Sequence, residues 1–484
     1  MSLSTAFNIA QSSLFNNARQ TSILSRNVQE SDNTNYTRRQ AVLASMVPGV
    51  QTVAVQRSTN DQIFRQNLSA LSSWAGQSAL SDGLERLETM VNGVDNASSP
   101  ATAIGKLQQA LQAYSAAPSN STLAANAVEA ARQVANALNN ATTAIQSVRT
   151  DADGQIADAV TDLNGLLDQY KQANDAVVAG TRAGRDASDA LDQRDTLLKK
   201  ISEYVPVNTL SRNDGDMVLT TKDGVTLFET VPRSVGFSAN AGYAPGITGN
   251  PVYVDGVPIA LATGANTDAS GRIAGLLQLR DGVAVTLQSQ LDEVARGLVS
   301  AFAEKGTGVA DAAGLFTWSG GPAVPAAGTL VTGLAGSIRI NAAFDPSKGG
   351  SATLLRDGGA NGASYVANTT GAAGYADLII AYGARLDQPM SFDTAAGLAT
   401  NQSIGDYSTA TIGWFNGQRQ NAASALETKE ALSSRLSEAL SNATGVNVDT
   451  ELALLLDLEN TYQATSRIIK AVDDMMATLF AAVS

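Results

Sequence analysis

Apolar residues recur at alternating steps of four and three from the first residues of the chain: Leu3, Phe7, Ala10, Leu14, Asn17, Thr21, Leu24 and Val28, six of the eight apolar. That spacing predicts an amphipathic helix with a single sticky stripe. The end of the chain repeats the pattern. Steps of seven give Val448, Leu455, Tyr462, Ile469, Met476 and Val483, and the positions three later are Glu451, Leu458, Thr465, Val472 and Leu479. This second helix starts after TGVNVD, where Asn447 or Asp449 can cap it and Glu451 favours its positive end. One such stripe is ordinarily the core-facing side of a bundle helix. Two of them at the extreme ends, without large aromatics to fix them into a compact core, predict terminal helices that pack on each other in a coiled-coil-like arrangement and then on copies of themselves.

The interior has its own rhythm. Segments 63–92, 103–116, 121–150, 153–180 and 186–203 read as helices, with SSP at 98–100 and APSNS at 117–121 as breaks. At VPVNTL (205–210) the texture changes. MVLTTKDGVTLF and NPVYVDGVPIAL each place short β-type runs around Asp-Gly, a hairpin signal. Helical periodicity resumes over 271–306, residues 307–370 are Gly- and Ala-rich, and another long helix spans 402–441. The expected fold is mainly α with inserted β domains, elongated and multidomain. Its parts are a terminal helical assembly domain (1–55 and 440–484), a nested helical rod domain (56–204, 272–306 and 371–439), an inserted β domain (205–271) and a Gly/Ala-rich β or loop region (307–370).

Composition narrows what such a molecule does. With 32 Lys+Arg against 45 Asp+Glu, a formal charge of −13, nucleic acid and anionic membranes are disfavoured partners. No stretch is apolar enough for a membrane helix, and the first twenty residues lack the pattern of a cleavable signal peptide. The chain has no Cys and no His, which removes disulfides, thiol nucleophiles, the usual zinc sites and any Ser-His-Asp relay.

The remaining candidates for chemistry are thin. DADG at 151–154 resembles the start of a calcium loop, but its glycine comes too early and Asp162 stands where the loop needs Glu, so these read as exposed carboxylates at a helix start. Asp189, Asp192 and Asp195 share one helical face and could clamp a cation; with Arg185 and Arg194 interleaved they read as a solvated mixed-charge face. The Gly-rich pieces lack a P-loop lysine. Paired carboxylates of a cell-wall hydrolase are open on spacing alone, with nothing that points to them. The expectation is a non-enzyme with no catalytic residue, cofactor or metal.

The two ends carry a more specific signal. SRNVQESDNTNYTRRQ resembles the Asn-rich N-terminal motif of the flagellar rod, hook and hook-associated axial proteins through Asn27, Asn33-Thr34, Tyr36, Thr37, Arg38 and Gln40. TGVNVDTELALLLDLENTYQATSRIIKAVDDMMATLF is similar to that family's C-terminal segment, with Gly445, Val446, Asn447, Asp449, Glu451, Leu452, Tyr462, Gln463, Ala464, Ser466, Arg467, Ile469, Asp473, Met475 and Leu479 in step. Its GVNVD form resembles the hook–filament junction members, and RIAGLLQLRDGV resembles an internal segment of the same members.

The resemblance implies a structural protein exported without a cleavable signal peptide by the flagellar type III apparatus and placed between hook and filament. Its implied partners are copies of itself in a ring, the hook protein, the second hook-associated junction protein and a cytoplasmic export chaperone on the C-terminal helix. The assembly interface is expected at Leu3, Phe7, Leu14, Leu24, Val28, Asn35, Tyr36, Arg38 and Arg39, and at Val448, Leu452, Leu455, Leu458, Tyr462, Arg467, Ile469, Val472, Met476 and Leu479. Within it, NVQESDNTNYTRR reads as the turn that ends the first helix and aims Tyr36, Arg38 and Arg39 at neighbouring subunits.

Overall fold

The computed structural model describes residues 3–46, 49–259 and 269–483; the part of the expected β domain at 260–268 lies outside the described residues, as do 1–2, 47–48 and 484 at the ends and hairpin tip of the terminal domain. The chain opens with α1 (Leu3–Gln29), and then departs from the expectation of a purely helical end: β1 (Arg39–Met46) and β2 (Gly49–Arg57) form an antiparallel hairpin. Val42 pairs with Ala54 but Leu43 with Thr52, so Val53 is an extra residue that bulges the second strand. Helices α2 (Asp61–Val91), α3 (Pro100–Ala116), α4 (Ser121–Arg182) and α5 (Ser188–Tyr204) follow.

Three of these helices start where a side chain takes up an unpaired N–H. Asn60 caps α2, Ser99 with Pro100 behind it opens α3, and Asn120 accepts from two amides at the head of α4. The expected break at 151–152 is absent, and α4 continues for 62 residues, about 93 Å. Apolar period wins there: Val148, Ala152, Ile156 and Ala159 are all buried on one face, and Gly154 costs too little to interrupt it.

The β region is a meander, β3 (Val207–Ser211), β4 (Met217–Thr221), β5 (Thr226–Glu229) and β6 (Val231–Pro232), followed by a small sheet of β7 (Val235–Gly236), β8 (Tyr253–Val254) and β9 (Val257–Pro258). Asp255 and Gly256 both take positive φ in the tight turn joining β8 to β9. The region lies against α4: Phe228 meets Tyr170 edge-on at 5.0 Å, and its buried residues belong to the same apolar core as the helices.

Helix α6 (Arg272–Leu277) passes through a π-helical turn, Gln278–Val283, into α7 (Ala284–Ala301). Here the Asp153 carboxylate, expected to be exposed, is buried and paired with the buried guanidinium of Arg280. Arg280 also reaches Asp281 Oδ2 at 2.6 Å and Asn250 O at 2.8 Å, while Asp153 accepts from Asn240 N at 2.6 Å and Tyr243 OH at 2.8 Å. Two buried charges are tolerated because they face each other and each is further hydrogen-bonded, and these bonds clamp the β region onto the helices.

Residues 307–370 resolve the choice between β and loop in favour of irregular chain with small pieces of structure. Strand β10 (Phe316–Thr317), helix α8 (Leu334–Ser337), strand β11 (Arg339–Ile340) and helix α9 (Leu354–Asp357) are short, and β10 pairs with β11. Buried carboxylates replace the missing ladders: Glu304 accepts from Ala360 N and Asn361 N, and Asp292 from Gly333 N and Ala335 N.

Helix α10 (Asp377–Asp387), the paired β12 (Met390–Ser391) and β13 (Asn401–Gln402), α11 (Ile404–Thr444) and α12 (Val448–Val483) complete the fold. Helix α11 returns along α2, and α12 returns along α1, giving the nested pairing expected from the two ends. Among the described residues no helix is long and apolar enough to cross a membrane.

Two consequences are measurable. A Cβ on Gly275 would lie 2.1 Å from the carbonyl oxygen of Gly76, where α6 crosses α2, whereas one on Gly154 meets nothing within 4 Å. Gly275→Ala should lower stability by about 1–3 kcal/mol and Gly154→Ala should leave it unchanged or raise it by up to ~1 kcal/mol in thermal melts. Burial pushes the Asp292 carboxyl up to about 6, against the pull of its donors. A raised folded-state value means that its contribution to stability is complete below its ordinary 3.8 and is lost as the pH rises through about 6. Asp292→Asn should therefore flatten the stability profile between those limits, as followed by denaturant melts at a series of pH values.

Candidate assembly interface

Helices α1 and α12 run antiparallel. Asn17 Nδ2 donates to Leu458 O at 2.7 Å, Ser13 Oγ stands 3.5 Å from Thr465 Oγ1, and Asn27 meets Glu451 at the other end. Of the stripe residues, Ala10, Leu24 and Val472 are buried and Leu3, Leu14, Val28, Leu455, Leu458, Ile469 and Met476 half-buried. Asn17 and Thr465 are polar residues inside the stripe, and their bonds across the seam fix one register.

The other expected interface residues on these helices, Phe7, Val448, Leu452, Tyr462, Arg467 and Leu479, are exposed. One partner helix covers only one strip of each surface, and these stripes are wider than that strip. The outer side is apolar as well: Phe15, Leu456 and Phe480 are 70, 62 and 67% exposed, with Ile468 and Met475 also open. Such a surface on a helix pair marks a contact yet to be made.

At the base of the pair the segment 27–39 forms a closed polar knot. Asn27 is fully buried and saturated. Its Nδ2 donates to Arg39 O and to Glu451 Oε2, both at 2.9 Å, and its Oδ1 accepts from Tyr36 OH at 2.8 Å and Arg39 N at 3.1 Å. The Glu451 side chain is likewise 0% exposed, with Arg38 Nε at 2.5 Å from its other oxygen. Arg38 N donates to Thr444 O at 2.8 Å, and Asn447 Oδ1 caps α12 by accepting from Thr450 N at 3.0 Å. Asn35 is exposed, in a turn where its N–H donates to Asn33 Oδ1.

The expected outward reach of Tyr36, Arg38 and Arg39 is thus met by partners within the chain. The Arg39 guanidinium lies 4.8 Å from the Tyr36 ring centre and pairs with Asp189 at 2.6 Å and Asp192 at 2.9 Å. Arg57, from β2, reaches Asp192 at 2.9 Å and also Asp195, and Arg26 reaches Asp189 at 2.6 Å. Of the three aspartates of α5, Asp192 and Asp195 are largely covered, and Asp189 is paired although 67% exposed. They are a ladder that receives arginines from α1, β1 and β2, whereas Arg194 points away to Asn174 Oδ1 and Gly215 O.

Partial burial works to raise the Asp189 carboxyl, but hydrogen bonds and charge from Arg39 and Arg26 outweigh it and hold it below the ordinary range. Burial pushes Asp195 up despite Arg57. Sequence reasoning passed over Asn27, Arg57, Glu451 and Thr465 as site residues. The available signal was polarity at positions where the stripes call for apolar side chains, as at Glu451 and Thr465.

The knot gives a direct test. Glu451→Ala leaves Arg38 and Asn27 facing a void, at a cost of about 3–5 kcal/mol for an uncompensated buried charge. Hydrogen exchange should show α1 and α12 losing protection while α4 and α7 keep theirs.

Comparisons with known proteins agree with this architecture. The family model described as "Flagellar hook-associated protein FlgK helical domain" matches residues 84–314, and "Flagellar basal body rod FlgEFG protein C-terminal" matches 438–481. The chain is 26% identical over 336 residues to flagellar hook-associated protein 1 of Salmonella typhimurium and, equally, of Salmonella typhi, covering 64% of this chain and 58% of each relative. It therefore spans less than two thirds of the length of those relatives. The solved structure of the flagellar hook junction protein FlgK from Burkholderia pseudomallei is similar over 53% of this chain and 47% of that one, at 21% identity and a TM-score of 0.43. Over residues 84–314 and 438–481, and in the matched relatives, the chain is thus similar to the flagellar hook-associated protein 1 family.

Proposed function

We propose that the chain is a structural subunit of the bacterial flagellum that joins hook to filament and assembles through its terminal helices. The observation that carries this is the apolar outer surface of the α1–α12 pair, which stays open after the two helices have covered each other. Burying one large apolar side chain gains roughly 1.5–3 kcal/mol, and helices without a partner are marginal in water. Packing such pairs against copies supplies the free energy that a lone pair lacks, and head-to-tail contacts between identical surfaces build a ring or tube.

Likeness to the hook-associated proteins supports the partners: copies of the chain in a ring, the hook protein on one side and the second hook-associated junction protein on the other. Before type III export, a cytoplasmic chaperone covers the C-terminal helix. The final location is the extracellular junction. The role is structural and needs no catalytic residue, cofactor or metal.

Deletion of residues 1–35 or of 445–484 should leave the middle folded, with its own cooperative melt, and abolish assembly in sedimentation and electron microscopy. A truncated chain that assembles like the full one overturns the reading. In dilute solution, limited proteolysis should trim both ends first, and ends that resist it would contradict assembly-coupled folding.

A further inference from the structure

A groove of about 810 Å³ opens beside the base of the terminal pair, between the turn at 31–37, the junction of β2 with α2, the start of α5, strand β3 and the last turn of α11. Its described lining includes six Arg or Lys side chains and three Asp. That is a local excess of positive charge on a chain of formal charge −13. Three of these cations, exposed Arg65 and Arg185 and half-buried Lys199, have no hydrogen-bond or ion-pair partner among the described residues.

The aspartates in the groove do not serve them. Asp195 holds Arg57, Asp186 accepts from Ser188, and Asp61 sits in the first turn of α2. Burial holds the Lys199 ammonium below its ordinary value, against the attraction of Asp195 and Asp192. Exposed Val53 and Leu210 add apolar surface to the walls.

Position indicates what fills it. Gly445 and Val446, on one wall, lead directly into α12, and Asn33 to Thr37, on another, follow α1. The groove therefore adjoins the foot of both terminal helices. Helix α12 carries six acidic residues and two basic ones. Of the acids, Asp449, Asp457, Glu459, Asp473 and Asp474 are exposed and form no ion pair among the described residues, while Leu456 is exposed between Asp457 and Glu459 around the helix.

We propose that the groove receives the outer face of α12 from a second copy of this chain, with Asp457 and Glu459 meeting Arg65, Arg185 and Lys199, and Leu456 between them meeting Val53 and Leu210. The inference rests on the assembly role proposed above and gives it a specific contact. Opposite charges at such a contact select the partner and its register, and they weaken as salt screens them.

The test uses the full chain and its concentration-dependent assembly at low salt, followed by sedimentation velocity and electron microscopy. Arg65→Glu with Arg185→Glu, both at exposed positions, should raise the concentration needed for assembly about tenfold with the thermal melt unchanged. Asp457→Arg with Glu459→Arg should do the same, and the four changes together should restore assembly.

Because the chain has no cysteine, Arg185→Cys and Asp457→Cys variants mixed under oxidising conditions should give the cross-linked pair. Wild-type assembly with a reversed groove that assembles equally well overturns the groove contact alone. A reversal effect without the cross-link or the restoration overturns α12 as the occupant. A wild-type chain that never assembles overturns this contact together with the proposed function.

Discussion

Everything at the terminal end of the molecule depends on one buried carboxylate. Glu451 sits in the first turn of α12, out of contact with water, and it is tolerable there only because Arg38 and Asn27 occupy both of its oxygens. That requirement reaches across the chain. Asn27 must end α1 at the right height, Tyr36 and Arg39 must close on its amide oxygen, and Arg38 must extend from the strand that the hairpin begins. With the Asn17 and Thr465 bonds across the seam, the carboxylate at 451 holds α12 at one position along α1.

The knot also transmits position. Arg39 holds Tyr36 and Asn27 on one side and the aspartates of α5 on the other, so the terminal pair is fixed to the helical body through arginines rather than through a shared apolar core. The same device recurs deeper in the body, where Asp153 with Arg280 fastens the β region to α4, Arg296 with Glu293 receives Ser391 O and Asp393 N, and Glu304 organises the loops at 360–361. In a chain with few aromatics, buried and hydrogen-bonded charge takes over the task of specifying which segments meet. Such contacts have sharp geometry, and this suits a long molecule whose elements touch over narrow surfaces.

Against this closed network the outer faces of α1 and α12 stand out as unfinished. The stripes are wide enough for two neighbours each, and the fold supplies one. A subunit built in this way keeps its internal order by charge and leaves its apolar surface for assembly. The proposed role at a flagellar junction needs that division, since a chain exported and then assembled must avoid spending its adhesive surface on itself.

The stripes, the Asp-Gly turns and the paired ends were legible in the sequence because they are local or periodic: spacing alone selects helix or hairpin, and two apolar faces at the ends have each other as the nearest cover. The continuity of α4 through DADG and the hairpin at 39–57 depended on burial that the local sequence does not display. Asp189, Asp192 and Asp195 looked like a solvated face because their arginines lie about 150 positions away. Arg38 looked free for neighbours because Glu451 lies more than 400 positions off. The sequence by itself determined which faces are sticky and which segments are helical. Only the tertiary structure decided which charges meet, because a buried ion pair is defined by desolvation and geometry, and neither exists until distant segments have been brought together.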